Sequence, residues 1–153
     1  MTYQETNITV SLVSYLLILG YYLARWSSMY REEGLNSQTV FILWITVIVA
    51  GIVLTIAGNI ITNIVRAIAY AIKTQSDKPE RFVEDERDKL IGLKGTRVSY
   101  IAYSVGVFLA MLSFALGQPP LIMFSLIIFF SLLAEIISNI VQLVYYRRGV
   151  AYG

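Results

Sequence analysis

Four long apolar runs, residues 8–26, 39–71, 98–117 and 121–146, take up most of this chain. A helix needs about 20 apolar residues to cross the hydrocarbon of a bilayer, so every run is long enough or nearly so. In lipid each backbone N–H and C=O must be satisfied within the protein, which leaves helices and closed barrels. Continuous apolar runs, rather than short alternating ones, select helices. Charged residues make up 14% of the chain and the mean hydropathy is +0.67. A soluble domain carries about 25% charged residues to wet its surface. The expected fold class is all-α: a four-transmembrane-helix bundle forming one integral membrane domain over 1–153, with the lipid bilayer as its first partner.

Turn chemistry separates the runs. Glu33, Gly34, Leu35, Asn36 and Ser37 break the first from the second, and Gly117, Gln118, Pro119 and Pro120 form a tight hairpin between the third and fourth. The second run exceeds one crossing at about 1.5 Å per residue, so its end, Arg66 to Lys73, is expected to project from the membrane. The segment before Ile8 is acidic rather than basic, and the run after it continues to Trp26, so it reads as a retained span and not a cleaved leader. Basic residues gather in 73–97 (Lys73, Lys78, Arg81, Arg87, Lys89, Lys94 and Arg97) and at Arg147 and Arg148, with none in the Pro119–Pro120 hairpin. The positive-inside rule then places both termini and the 73–97 loop in the cytoplasm, in a multi-pass protein of the cell membrane.

The chain has no cysteine and no histidine. Disulfides, the usual zinc and haem sites, a thiol nucleophile and a histidine base are all excluded, and no nucleophile–base set remains. A non-enzymatic protein with no cofactor is expected. A net charge of +2, with acids interleaved among the bases, gives no footprint for nucleic acid.

The fourth run carries the one acid within these spans, Glu135. Ser131, Glu135, Ser138, Asn139 and Gln142 recur three and four residues apart and so share a helix face. In the second run Thr55, Asn59, Thr62, Asn63 and Arg66 do the same. Residues 59–70 and 135–146 match at six of twelve positions, and Val10–Tyr15 echoes Val98–Tyr103, which suggests two tandem helical hairpins in parallel. On that register Asn59 lies level with Glu135 and Asn63 with Asn139, and the two stripes meet as a ladder. No basic residue is expected at the depth of Glu135, Arg66 lying about two turns, roughly 10 Å, nearer the cytoplasm. With desolvation opposing its charge, Glu135 is expected to donate a hydrogen bond to Asn59. Arg66 reads as snorkelling to the interface. Gly51 and Gly58 read as a close helix contact, and Tyr21, Tyr22, Trp26, Tyr145 and Tyr146 as an interfacial aromatic belt.

In the long loop, acids come first (Glu84, Asp85, Glu86, Asp88) and bases follow (Lys89, Lys94, Arg97), the order that complements a helix dipole. A short amphipathic helix is expected there, joined loosely to the third span by Gly92 and Gly95. Glu84, Asp85, Glu86, Arg87 and Asp88 are the candidate docking residues for a partner. They lack the glycine and alternating ligands of a calcium loop. The run Glu84-Asp85-Glu86-Arg87-Asp88, then Leu90 and Ile91 and a basic stretch entering a span, resembles a group of small uncharacterised prokaryotic membrane proteins. These have four spans and an acidic Asp-Glu-Arg-Asp type motif before the third. The ending Tyr145-Tyr146-Arg147-Arg148-Gly149 is similar too. The resemblance implies a topology and no activity.

The functional expectation is a protein that acts through association, as an accessory or regulatory subunit of a larger membrane complex or as a homo-oligomer. The alternative is a small proton- or cation-coupled transporter or channel using Glu135 in a dimer, because intramembrane acids often mark ion paths.

Overall fold

In the computed structural model, residues 3–33, 36–74 and 86–149 are described. They form four long helices: α1 (Tyr3–Ser28), α2 (Ser37–Thr74), α3 (Glu86–Ala115) and α4 (Pro120–Arg148), with a π-helical turn, Met29–Glu33, closing α1. All four are long and apolar enough to cross a membrane. No strand occurs among the described residues, so the protein is an all-α four-helix bundle with the features of a multi-pass membrane protein.

The helix ends follow from local chemistry. Before α2, the Asn36 side chain accepts a hydrogen bond from the backbone N–H of Gln38 at 3.1 Å, an N-cap that fixes where the helix begins. After α3, Gly117 takes a left-handed φ of 91°. Its N–H bonds the Phe114 carbonyl and that of Gln118 bonds the Ser113 carbonyl, the pair of bonds that defines a Schellman stop. Pro119 and Pro120 then open α4, where a missing N–H costs nothing. The hairpin expected at 117–120 is therefore present. The helices overrun the apolar runs by several residues because the backbone pattern continues into flanking polar sequence. At 38 residues, about 57 Å, α2 is far longer than the hydrocarbon is thick.

The pairing of helices is uneven. α3 packs tightly along α4, α1 packs on both α2 and α4, and α2 touches α4 only lightly. Lipid tails are as apolar as leucine, so helices in a bilayer associate through close packing and polar bonds rather than hydrophobic burial. α3 supplies that closeness with small residues. A Cβ added at Gly95 would lie 2.5 Å from Gln142, and one at Gly106 would collide with Phe130. Ala110 is fully buried on the same face. The other centre of packing joins Ile18, Tyr22, Met29, Val40, Leu43 and Val47 to Leu132. Two specific contacts tie α4 into it. The Tyr22 hydroxyl donates to the Ser125 carbonyl at 2.8 Å, and Trp44 meets Phe124 edge-on with centroids 5.5 Å apart.

Three expectations are corrected here. From Glu86 onward the expected amphipathic helix is part of α3, which runs unbroken from there, and Gly95 tightens the bundle instead of loosening a join; the loop before Glu86 lies outside the described residues. Tyr22 belongs to the core, 2% exposed, and not to an aromatic belt. The polar stripes of α2 and α4 do not meet across an axis, because α2 turns its stripe toward α1, where Gly58 lies against Val10. Gly58 is the close contact of the expected pair, whereas Gly51 sits at an ordinary 3.9 Å from Ile18.

Candidate functional site

Because α3 leans on α4 and barely meets α2, a cleft of about 690 Å³ opens between α2 and α3. α4 forms its floor and Tyr15 of α1 its back wall. Ile48 and Ile52 of α2 face Ser99, Tyr100 and Tyr103 of α3 across it. Glu135 lies on the floor, partly buried, with Ser131, Ser138 and Gln142 above and below it on the same face. Four of the residues singled out from the α4 spacing therefore line one cavity.

The hydrogen bonds differ from those expected. Glu135 does not donate to Asn59. Its carboxylate accepts from the Ser99 hydroxyl at 3.2 Å, and Ser99 is its one hydrogen-bond donor among the described residues. Asn59 is held at the α1–α2 contact, its amide oxygen buried with no hydrogen-bond partner in the described residues. Asn63 is exposed. The side chain of Arg66 lies outside what is described. Asn139 is 7% exposed and donates to the carbonyl oxygen of Glu135 one turn earlier at 2.9 Å. Gln142 likewise bonds Ser138 within α4 at 3.2 Å. Two of the α4 amides thus serve their own helix and leave the carboxylate to the cleft.

The Ser99 bond also sets Glu135 level with Ser99 along the bundle. Glu135 stands fourteen residues beyond Leu121, and Ser99 seventeen before Leu116, so both lie about 21–25 Å from the hairpin at 1.5 Å per residue. Arg97 lies two residues from Ser99 along α3. Arg97 is exposed and does not line the cleft, so it turns another way.

Beyond the cleft, at the same end of the bundle, the candidate docking residues divide. Glu84 and Asp85 lie outside the described residues, and Glu86 is exposed. Asp88 accepts a hydrogen bond from the Tyr146 hydroxyl at 2.8 Å, and the Arg87 guanidinium donates to the Tyr146 carbonyl at 3.1 Å. Lys94 holds its ammonium 5.0 Å over the Tyr145 ring, a cation–π contact. The acidic motif and the Tyr145-Tyr146 ending, two stretches far apart in sequence, thus form one clamp between the start of α3 and the end of α4. Arg87 and Asp88 are engaged inside the chain.

Sequence reasoning passed over Ser99, Tyr15, Tyr100 and Tyr103. A signal was present: Gly95, Ser99, Ala102, Gly106 and Ala110 form a small-residue stripe at helical spacing, which marks the α3 face that meets α4 and carries Ser99 to Glu135. No protein-family model, no curated protein and no solved structure matches the chain.

Proposed function

We propose that the protein is a non-enzymatic integral membrane protein that acts through association, as an accessory or regulatory subunit of a membrane complex or as a homo-oligomer, with the Glu135 cleft as the place where its partner is held. One observation carries this reading. A carboxylate within an apolar helix lies on the floor of a cavity that opens between α2 and α3, and a lone copy in the bilayer would turn that acid toward acyl chains. Ionisable groups at such depth face protein or a water-filled cavity. The reading goes with a location in the cell membrane and with both termini and the 73–97 loop in the cytoplasm, from the distribution of Lys and Arg.

A second reading is favoured by the same carboxylate: with one hydrogen bond among the described residues and an open side, Glu135 can exchange a proton or hold a cation, as a transporter or channel formed by two copies would require. Reconstitution separates the two. Proton and cation flux is measured in liposomes alongside assembly, by fluorescence transfer between labelled copies and by co-purification from the native membrane. Association predicts no flux, assembly retained in Glu135→Gln and assembly impaired in Glu135→Leu. Flux that disappears in Glu135→Gln establishes transport. Assembly unchanged in both variants, together with no flux, defeats both.

A further inference from the structure

We propose that the Glu135 cleft binds an organic cation carried on an apolar body, a quaternary or protonated amine or its phosphonium analogue. The proposal goes beyond the association reading: it names a small ligand for the same cleft and not the protein partner. Volume comes first. Pockets for small organic ligands enclose about 300–1,000 Å³, and this cleft encloses about 690 Å³. The cleft therefore falls within the size range of a small-molecule site.

Charge comes next. Among the described residues, the cleft lining contains Glu135 and no basic residue. The nearest cations on α3 are otherwise placed, Lys94 over the Tyr145 ring and Arg97 exposed. The other titratable groups in the lining are the phenols Tyr15, Tyr100 and Tyr103, from two different helices. Electron-rich ring faces attract a cation, most strongly where it is desolvated, and a carboxylate in the same chamber supplies the opposite charge. A hydrated metal ion would need several further oxygen ligands, whereas a quaternary cation needs only charge and apolar contact. Ile48, Ile52 and Ile128 provide the apolar contact. Access follows from the packing, since the gap between α2 and α3 faces the surrounding lipid, through which an amphiphilic cation arrives.

The test uses the full-length protein in maltoside micelles and a pair of ions of like shape and opposite charge, tetraphenylphosphonium and tetraphenylborate. Binding is followed by calorimetry. Saturable binding of the cation, at least about tenfold tighter than the anion and weakened about tenfold or more in Glu135→Gln, supports the proposal. Tyr100→Leu, on the exposed wall, should weaken the cation several-fold and leave the melting temperature unchanged, which keeps the test valid if the Glu135 variant folds poorly. Titrating phosphatidylcholine into the micelles identifies the source: displacement of the cation assigns the site to a lipid headgroup, and retention assigns it to a free amphiphile. No saturable cation binding by the wild type, or equal binding of both ions, overturns the proposal. If assembly still depends on Glu135 in that case, the association reading survives without it.

Discussion

Replacing Gly106 by alanine adds one methyl group where α3 and α4 approach most closely. The new Cβ would collide with the Cβ and Cγ of Phe130; that Cβ is fixed by the α4 backbone, so no rotamer change can relieve the clash. Carbon contacts sit at about 3.5–4.0 Å, so the helices must part by about 1 Å or more. Overpacking of this kind costs about 1–3 kcal/mol, here toward the upper end, and alanine returns up to about 1 kcal/mol through helix propensity. The net expectation is a loss of about 2 kcal/mol. Gly92, on the same helix, is the control, because an added Cβ there meets nothing within 4 Å. Gly92→Ala should be stabilising by about 0.5–1 kcal/mol. Steric-trap unfolding in bicelles measures both on one scale. The variants must move in opposite directions. A shift of the same sign and similar size in both would refute close α3–α4 packing as the basis of the bundle.

Two further substitutions probe the polar contacts. Tyr22→Phe removes the buried hydroxyl that donates to the Ser125 carbonyl across α1 and α4 and should cost about 1 kcal/mol in the same assay; stability equal to wild type would show that this bond contributes nothing net. Tyr146→Phe and Asp88→Ala each break the clamp at the end of the bundle and should each cost about 1 kcal/mol, with the double variant no worse than the costlier single one. Additive losses in that cycle would mean that the two groups do not act on each other.

The number of helices, their approximate extents and the hairpin at Gly117 were legible in the sequence, because they depend on quantities local to the chain. Apolar length against bilayer thickness fixes a span, and a glycine with two prolines fixes a turn. The helical spacing of Ser131, Glu135, Ser138 and Gln142 likewise gave their common face. What that face meets was not legible. The similarity of residues 59–70 to 135–146 suggested that Asn59 opposes Glu135, yet similarity within a helix says nothing about which neighbour it faces.

Sequence alone settled that this chain is a set of long apolar helices with an acid in the last, since hydrogen-bond satisfaction in lipid permits little else. Tertiary packing decided that α3 sides with α4, through glycines at 95 and 106 that let two backbones approach, and so left α2 standing apart. That asymmetry makes the cleft and brings Ser99 to Glu135. It depends on the relative fit of surfaces far apart in the chain, which no local pattern encodes.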